Sequence, residues 1–134
     1  MERFSISMEE DLVKKFDGHL ERRGYSNRSE AVRDLVRKAL IDEEWQAGEE
    51  VVGVITLVYD HHQRHLQDKL TEIQHDHHDR IISSTHVHMD HHNCLEVIIV
   101  KGEAREIREM ADLLKAAKGV KSGELTAAST GRKL

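Results

Sequence analysis

The sequence predicts an α+β protein with two small domains, a strand-helix-helix unit followed by a β-α-β-β-α-β unit. An alternating strand and two amphipathic helical stripes occupy the first part of the chain. The stretch IDEEWQAGEE then loses the helical periodicity, and β-branched strands alternate with helical stripes after it. We therefore predict domains at residues 1–45 and 51–128, joined by a linker at 46–50 and followed by a flexible tail at 129–134.

The first domain opens with a strand at residues 2–8, whose side chains alternate between two faces. The apolar face carries Phe4, Ile6 and Met8. The polar face carries Arg3, Ser5 and Ser7. Because the backbone of a lone strand needs a hydrogen-bonding partner, we expect it to pair with the same strand of a second chain. An amphipathic helix over residues 9–23 follows, and Gly24 ends it.

A second helix begins at the segment N-R-S-E. Asn27 is placed to cap the backbone, and Glu30 is placed to reach back to it, as in a capping box. The helix continues with an apolar stripe made of Ala31, Val32, Leu35, Val36, Ala39 and Leu40. The first domain is therefore predicted to contain one strand and two helices.

The second domain is predicted from a change in the periodicity of apolar residues after residue 50. Strands are expected at residues 51–59, 82–89, 94–102 and 119–127, and helices at 61–77 and 103–117. The segment D-H-H-N makes the turn between the second and third of these strands. This order of elements is that of a ferredoxin-like split βαβ arrangement.

Composition limits the classes of function. The chain has 38% apolar but only 4% aromatic residues, so each domain should bury a modest core and oligomerisation is expected. The single cysteine, Cys94, excludes an internal disulfide. Neither a signal peptide nor a membrane span is visible, so we expect a cytoplasmic protein. The net charge of -5 is opposite to the basic surplus usual in nucleic-acid binders.

The amino-terminal pattern nevertheless resembles the ribbon-helix-helix fold. A two-stranded ribbon of this kind fits the major groove of DNA. Its polar face would present Arg3, Ser5 and Ser7 to base edges. Contacts to phosphate are expected at the start of the second helix and from nearby arginines, namely from Asn27, Arg28, Ser29, Arg22 and Arg33.

The segment T-H-V-H-M-D-H-H-N-C-L-E carries the metal chemistry. His86 and His88 lie two apart on a strand, so their imidazoles share a face, and the turn brings Cys94 back beside them. Such a donor set suits zinc, copper and nickel. A fourth ligand is available in the cluster Q-H-D-H-H-D, where the candidates are His75, His77 and His78. Ten of the eleven histidines lie between His61 and His92, and further metal at His61, His62 or His65 stays open.

Over nearly its whole length the chain resembles the NikR family of nickel-responsive transcriptional regulators. The resemblance is carried by R-F-S-I-S, R-R-G-Y-S-N-R-S-E-A-V-R-D-L, Q-H-D-H-H-D and H-V-H-M-D-H-H-N-C-L-E. It implies an ACT-like second domain that binds one Ni(II) per subunit in a square-planar site at a tetramer interface. The ligands that it implies are His86, His88 and Cys94, with His75 from a neighbouring subunit.

The resemblance further implies a homotetramer, built as a dimer of dimers, that binds a palindromic operator of double-stranded DNA when nickel is present. Nickel-uptake genes are the implied target of repression. A weak cation site at Glu30 and Asp34 is also implied. Glu96, two residues after Cys94 on the same strand face, is placed to orient a metal ligand by accepting a hydrogen bond from it. Serines at positions 5 and 7, where some relatives carry threonine, leave the operator sequence open.

Four alternative functions are also compatible with parts of the sequence. A ribbon-helix-helix regulator could respond to Cu(II) or Zn(II) instead of nickel. A small zinc hydrolase would need a general base, and none is evident, so we expect no enzymatic activity. An antitoxin would have a short disordered tail after residue 50, and a small-molecule regulator of the same βαββαβ type would carry the histidines as incidental surface.

Overall fold

The computed structural model describes residues 1–134. Contacts divide the chain into two compact units, Met1–Ala39 and Leu40–Leu134. In chain order the elements are α1 (Glu10–Arg23), α2 (Arg28–Gln46), β1 (Glu50–Asp60), α3 (Arg64–Asp76), a 3-10 turn (His78–Arg80), β2 (Ile81–His88), β3 (Asn93–Glu103), α4 (Ala104–Ala116) and β4 (Val120–Ala128). The α+β class and the order of helices and strands after residue 9 agree with the prediction.

The two helices of the first unit are bounded by the capping signals read from the sequence. Helix α1 ends at Gly24, whose φ of 77° is the left-handed conformation that glycine adopts without a steric cost. Before α2, the Asn27 side-chain oxygen accepts a hydrogen bond from the backbone N–H of Glu30 at 2.9 Å. The second half of the predicted capping box does not form, because the Glu30 carboxylate accepts the Ser26 hydroxyl instead.

The predicted strand at residues 2–8 is not formed within the single chain. Residues 1–9 lie outside any helix or strand, and Phe4, Ile6 and Met8 are 76%, 58% and 38% exposed. The physical reason is that a strand exists only through hydrogen bonds to a neighbouring strand, and this chain offers none to its amino terminus.

The second unit is a four-stranded antiparallel sheet in the order β2-β3-β1-β4. Every second residue of β1 and of β3 is buried, so one face of the sheet carries the core. Apolar side chains of α3 and α4 also belong to this core, so both helices lie on that face of the sheet. These side chains include Leu66, Leu70, Ile107, Met110 and Leu114. None of the helices combines the length and the apolar character needed to cross a membrane.

The carboxyl-terminal part of α2, from Leu40 to Gln46, makes its contacts within the second unit. Trp45 is 3% exposed and packs in the core of that unit. Its indole N–H donates a hydrogen bond of 2.8 Å to the carbonyl of Ala128 at the end of β4. The contact division falls between Ala39 and Leu40, inside α2, whereas the predicted boundary at 45–50 contains the turn at residues 47–49 together with the ends of α2 and β1.

We expect Trp45→Phe to lower the free energy of unfolding by about 0.5–1.5 kcal/mol, because it removes the indole hydrogen bond but keeps most of the packing. Trp45→Ala should cost more, about 3–5 kcal/mol, because it also leaves a cavity in the core. Urea denaturation measures both values, and the exposed neighbour Gln46→Ala serves as the control. Equal stability of the two tryptophan variants would contradict this account.

Candidate metal centre and DNA-binding segment

The β2–β3 hairpin places four potential ligand or support residues on one face of the sheet. His88 is the cross-strand partner of Cys94, and His86 is the partner of Glu96. Cross-strand partners project to the same side of a sheet, and so do residues two apart on a strand. Cys94 is 2% exposed and belongs to the core, so this face is the one that carries the helices.

His86 lies between the thiol and a buried carboxylate. Its Nδ1 atom is 3.8 Å from the Sγ atom of Cys94. Its Nε2 atom is 3.0 Å from the Oε1 atom of Glu96. The two ring nitrogens of His86 thus face different groups. Nδ1 lies on the thiol side, where the Tyr59 hydroxyl also approaches it at 3.4 Å, and it is the nitrogen placed to bind a metal ion together with Cys94.

Glu96 is buried, with 1% of its surface exposed, and it receives several donors. Besides His86, the Gln74 side-chain amide donates to it at 3.0 Å and the Tyr59 hydroxyl at 3.4 Å. Burial and then the charge of Glu96 raise the pKa of Tyr59, so its hydroxyl stays protonated and remains a donor. These contacts satisfy a carboxylate that would otherwise be costly to bury.

The sequence reasoning missed Tyr59 and Gln74. A signal for Tyr59 was present, since it occupies the last core-facing position of the predicted first strand. Its register opposite Cys94 follows only from the pairing of β1 with β3. Gln74 lies in the predicted histidine cluster, but nothing in a sequence shows which side of a helix end approaches a distant strand.

The turn that closes this hairpin is held by Asp90. The Asp90 carboxylate accepts hydrogen bonds from the Asn93 side chain and from the backbone N–H groups of His92 and Asn93. The Asn93 side chain first, and then these backbone donors, lower the pKa of Asp90 to about 2. The predicted turn is therefore fixed by its own polar residues, and this fixes the register of His88 against Cys94.

His88 contacts another histidine from the loop after β1. The rings of His61 and His88 meet edge to face, with centroids 4.7 Å apart. The Nδ1 atom of His61 is buried without a hydrogen-bond partner. Burial also lowers the pKa of His61, which favours the neutral imidazole that binds metals.

Comparison with known proteins identifies the family. The profile described as the NikR C-terminal nickel-binding domain matches residues 52–128, and that of the ribbon-helix-helix proteins of the copG family matches residues 2–43. The chain belongs to the NikR family. It is 57% identical over 133 residues to a relative from Geobacter sulfurreducens, covering 98% of this chain and 96% of the relative. A relative from Desulfotalea psychrophila is 54% identical over 134 residues, covering 100% and 98%. Both relatives bear a provisional name as a nickel-responsive regulator.

A solved structure shares the fold of part of this NikR-family chain. It is an uncharacterized protein of Thermotoga maritima with a TM-score of 0.54 and 14% identity, covering 59% of this chain and 98% of that one. At this identity the likeness shows the fold alone. The family establishes that the chain is a nickel-responsive transcription regulator, not an enzyme, with a nickel-binding domain and a ribbon-helix-helix DNA-binding domain.

The predicted fourth ligands of this NikR-family chain lie at the end of α3. His77 and His78 each place Nδ1 against a backbone carbonyl, that of Ile73 at 2.8 Å and that of His75 at 3.0 Å. His75 is exposed, and its ring lies beside that of His78 at 5.9 Å. Within its own chain, the residue of this segment that reaches the hairpin is Gln74, through Glu96.

The predicted DNA-contacting residues lie in the first unit. Arg3, Ser5 and Ser7 are exposed, as are Ser29, Arg22 and Arg33. Asn27 is occupied as the helix cap. The Arg28 guanidinium donates two hydrogen bonds of 2.9 and 2.8 Å to Asp17, so it would exchange this exposed ion pair for a phosphate.

The two carboxylates of the predicted weak cation site have different partners in this structure. Glu30 accepts the Ser26 hydroxyl at 3.1 Å, and Asp34 accepts the Tyr25 hydroxyl at 2.8 Å. Asp34 also lies 3.6 Å from Arg37. A shared cation at Glu30 and Asp34 stays a prediction.

Proposed function

We propose that this regulator is a nickel-dependent repressor whose Ni(II) is held by His86, His88 and Cys94, with His75 supplied by another copy of the chain. One observation carries this assignment. The thiol of Cys94 and Nδ1 of His86 face each other at 3.8 Å on the β2–β3 hairpin, and His88 is the direct cross-strand partner of Cys94.

The donor chemistry fits nickel. A thiolate with imidazoles is a ligand set that nickel accepts, and Cys94 must lose its proton when the metal binds. The buried carboxylate of Glu96 lies on the other nitrogen of His86 at 3.0 Å. A carboxylate in this position fixes the ring and its tautomer, which makes the Nδ1 atom a better ligand. Glu96 therefore acts as a positioning residue in this proposal.

The position of His75 supports a ligand shared between copies. It is exposed at the carboxyl end of α3, while its neighbour Gln74 turns to the hairpin of the same chain. One exposed imidazole at a helix end, together with three donors on the hairpin, suits a site that a second subunit completes. We propose a homotetramer, a dimer of dimers, with one Ni(II) per subunit.

The amino-terminal segment supports a dimeric DNA reader. Apolar side chains of residues 1–9 line a groove of about 590 Å³ together with apolar residues of both helices, namely Phe4, Ile6, Met8, Val13, Phe16 and Val32. An exposed apolar surface of this kind is typical of a protein interface. The same segment of a second copy would bury it and would also provide the strand with its hydrogen-bonding partner. The paired strands then present Arg3, Ser5 and Ser7 to the major groove of a palindromic operator.

Nickel acts in this proposal by linking subunits. Binding at the shared site favours the assembly that fits the operator, and a coupling of about 1–3 kcal/mol changes DNA affinity roughly 5- to 150-fold. Repression of nickel-uptake genes in the cytoplasm is the physiological role that we propose. A mobility-shift titration on palindromic DNA at fixed salt, with Ni(II), Zn(II), Cu(II) or no metal, tests it. Equal shifts with and without nickel would disprove nickel dependence.

We expect Glu96→Gln to weaken nickel binding by roughly 10- to 100-fold, because the glutamine keeps the size of the side chain but loses the charge that orients His86. Competition with a nickel chelator measures the affinity. Glu124→Gln is the matched control, since that glutamate lies on β4 away from the hairpin. A wild-type affinity in Glu96→Gln would remove Glu96 from the site.

A further inference from the structure

We propose that Asp60, His62 and His92 form a second site for a divalent transition metal within a single chain. The candidate ligand atoms of these three residues all lie within 4.8 Å of one another. The set shares no residue with the proposed nickel site. It therefore goes beyond the function proposed above and does not depend on it.

The three ligands come from two segments that the sheet brings together. Asp60 is the last residue of β1 and pairs with Asn93 at the start of β3. His62 follows in the loop after β1, and His92 lies in the β2–β3 turn. This convergence explains why the spacing of the histidines along the sequence does not reveal the set.

Hydrogen bonds already hold the two segments in place. The backbone N–H of His61 donates to the carbonyl of His92 at 3.1 Å. The backbone N–H of His62 donates to the Asp60 carboxylate at 2.9 Å, and the His62 ring lies 2.9 Å from the carbonyl of His91. Little ordering is therefore needed for an ion to bind, which lowers the entropic cost of forming the site.

The charge and exposure of the set also suit a cation. Asp60 supplies the one carboxylate of the set, and the other two members are imidazoles, which bind metal ions through a ring nitrogen. Asp60 is half-buried, and both histidines are exposed, so an ion can reach the site from solvent. One cationic side chain also lies nearby, since the Lys121 ammonium donates a hydrogen bond of 2.6 Å to Asn93, the cross-strand partner of Asp60.

Two imidazoles and one carboxylate, without sulfur, select the class of metal. This set suits Zn(II), Ni(II) and related divalent ions, and it leaves coordination positions open to water. We expect it to bind more weakly than a site that includes the thiolate of Cys94, because it is exposed and has fewer protein ligands.

The second site lies next to the proposed nickel site. His61 stands between them, with its ring centroid 4.3 Å from that of His62 and 4.7 Å from that of His88. A metal ion on Asp60, His62 and His92 would tie the loop after β1 to the turn that connects His88 to Cys94. Its occupancy should therefore stiffen the hairpin that holds the nickel.

The test counts bound metal by isothermal titration with Zn(II) and with Ni(II) on the full chain. We expect two ions per chain in the wild type, one in Cys94→Ala, one in His92→Ala and none in the double variant. Cys94→Ala with His65→Ala is the matched control and should keep one ion, because His65 is an exposed histidine of α3 outside the set.

The outcomes separate this proposal from the nickel-sensor assignment. A wild type that binds a single ion, lost in Cys94→Ala, would overturn the second site and leave the first intact. Equal binding by wild type and Cys94→Ala, with loss in His92→Ala, would support the second site and overturn the first. If Cys94→Ala does not fold, the test rests on His92→Ala alone. A fall from two bound ions in the wild type to one in His92→Ala supports the second site, and an unchanged number of bound ions in His92→Ala refutes it.

Discussion

Replacing Cys94 with alanine should weaken nickel binding by well over about 100-fold and abolish nickel-dependent operator binding. Loss of a residue that only orients a metal ligand already costs roughly 10- to 100-fold in affinity, and loss of the single thiolate should cost more. The fold should survive, because the substitution removes only one buried sulfur atom, at a cost of about 1 kcal/mol. Chelator competition and a mobility-shift assay measure the two effects.

Two further variants separate metal binding from packing. Cys94→Ser keeps the size of the side chain in its buried position but replaces the soft sulfur ligand with a hydroxyl, so it should also lose nickel. His65→Ala removes an exposed imidazole outside the hairpin and should bind nickel like the wild type. If Cys94→Ala still responds to nickel, the proposed sensor site is wrong.

Replacing Ile6 with aspartate should abolish operator binding even with nickel bound. Ile6 is exposed in the single chain and lines the apolar groove of the first unit. In the proposed ribbon it is covered by the second copy, so each chain would bury an unpaired carboxylate at a cost of several kcal/mol. The paired strands would then separate, and the polar face that reads DNA would be lost.

This prediction has a control that carries the same charge. Leu134→Asp places an aspartate at another exposed apolar position, in the carboxyl-terminal tail, and should leave the mobility shift unchanged. Nickel binding should be retained in both variants, because the proposed ligands lie in the second unit. Operator binding by Ile6→Asp at the wild-type affinity would exclude the ribbon as the DNA reader.

The two proposed metal sites share one structural origin in the β2–β3 hairpin. The turn at Asp90 fixes its register, and the β1–β3 pairing places the loop after β1 beside it. One side of this hairpin presents the thiol and the imidazoles, and its tip presents His92. The hairpin thus contributes ligands to both proposed sites, which differ in their ligand chemistry.

The sequence by itself determined the helices, the strands of the second domain and the return of Cys94 beside His86 and His88. These features depend on local periodicity, on capping residues such as Asn27 and Gly24, and on a tight turn, all of which act within a few residues. Motif resemblance determined the family, because its ligand segments are continuous in the chain.

Only the tertiary structure decided which distant side chains support the hairpin. The contacts of Glu96 with Tyr59 and Gln74, and the meeting of Asp60 with His92, depend on β1 lying next to β3 in the sheet. The β1–β3 pairing and its register are set by how the whole core packs, and no local pattern encodes them, unlike the register of the β2–β3 hairpin. The amino-terminal strand does not form within the single chain, and the partner that we propose for it is the same segment of a second copy.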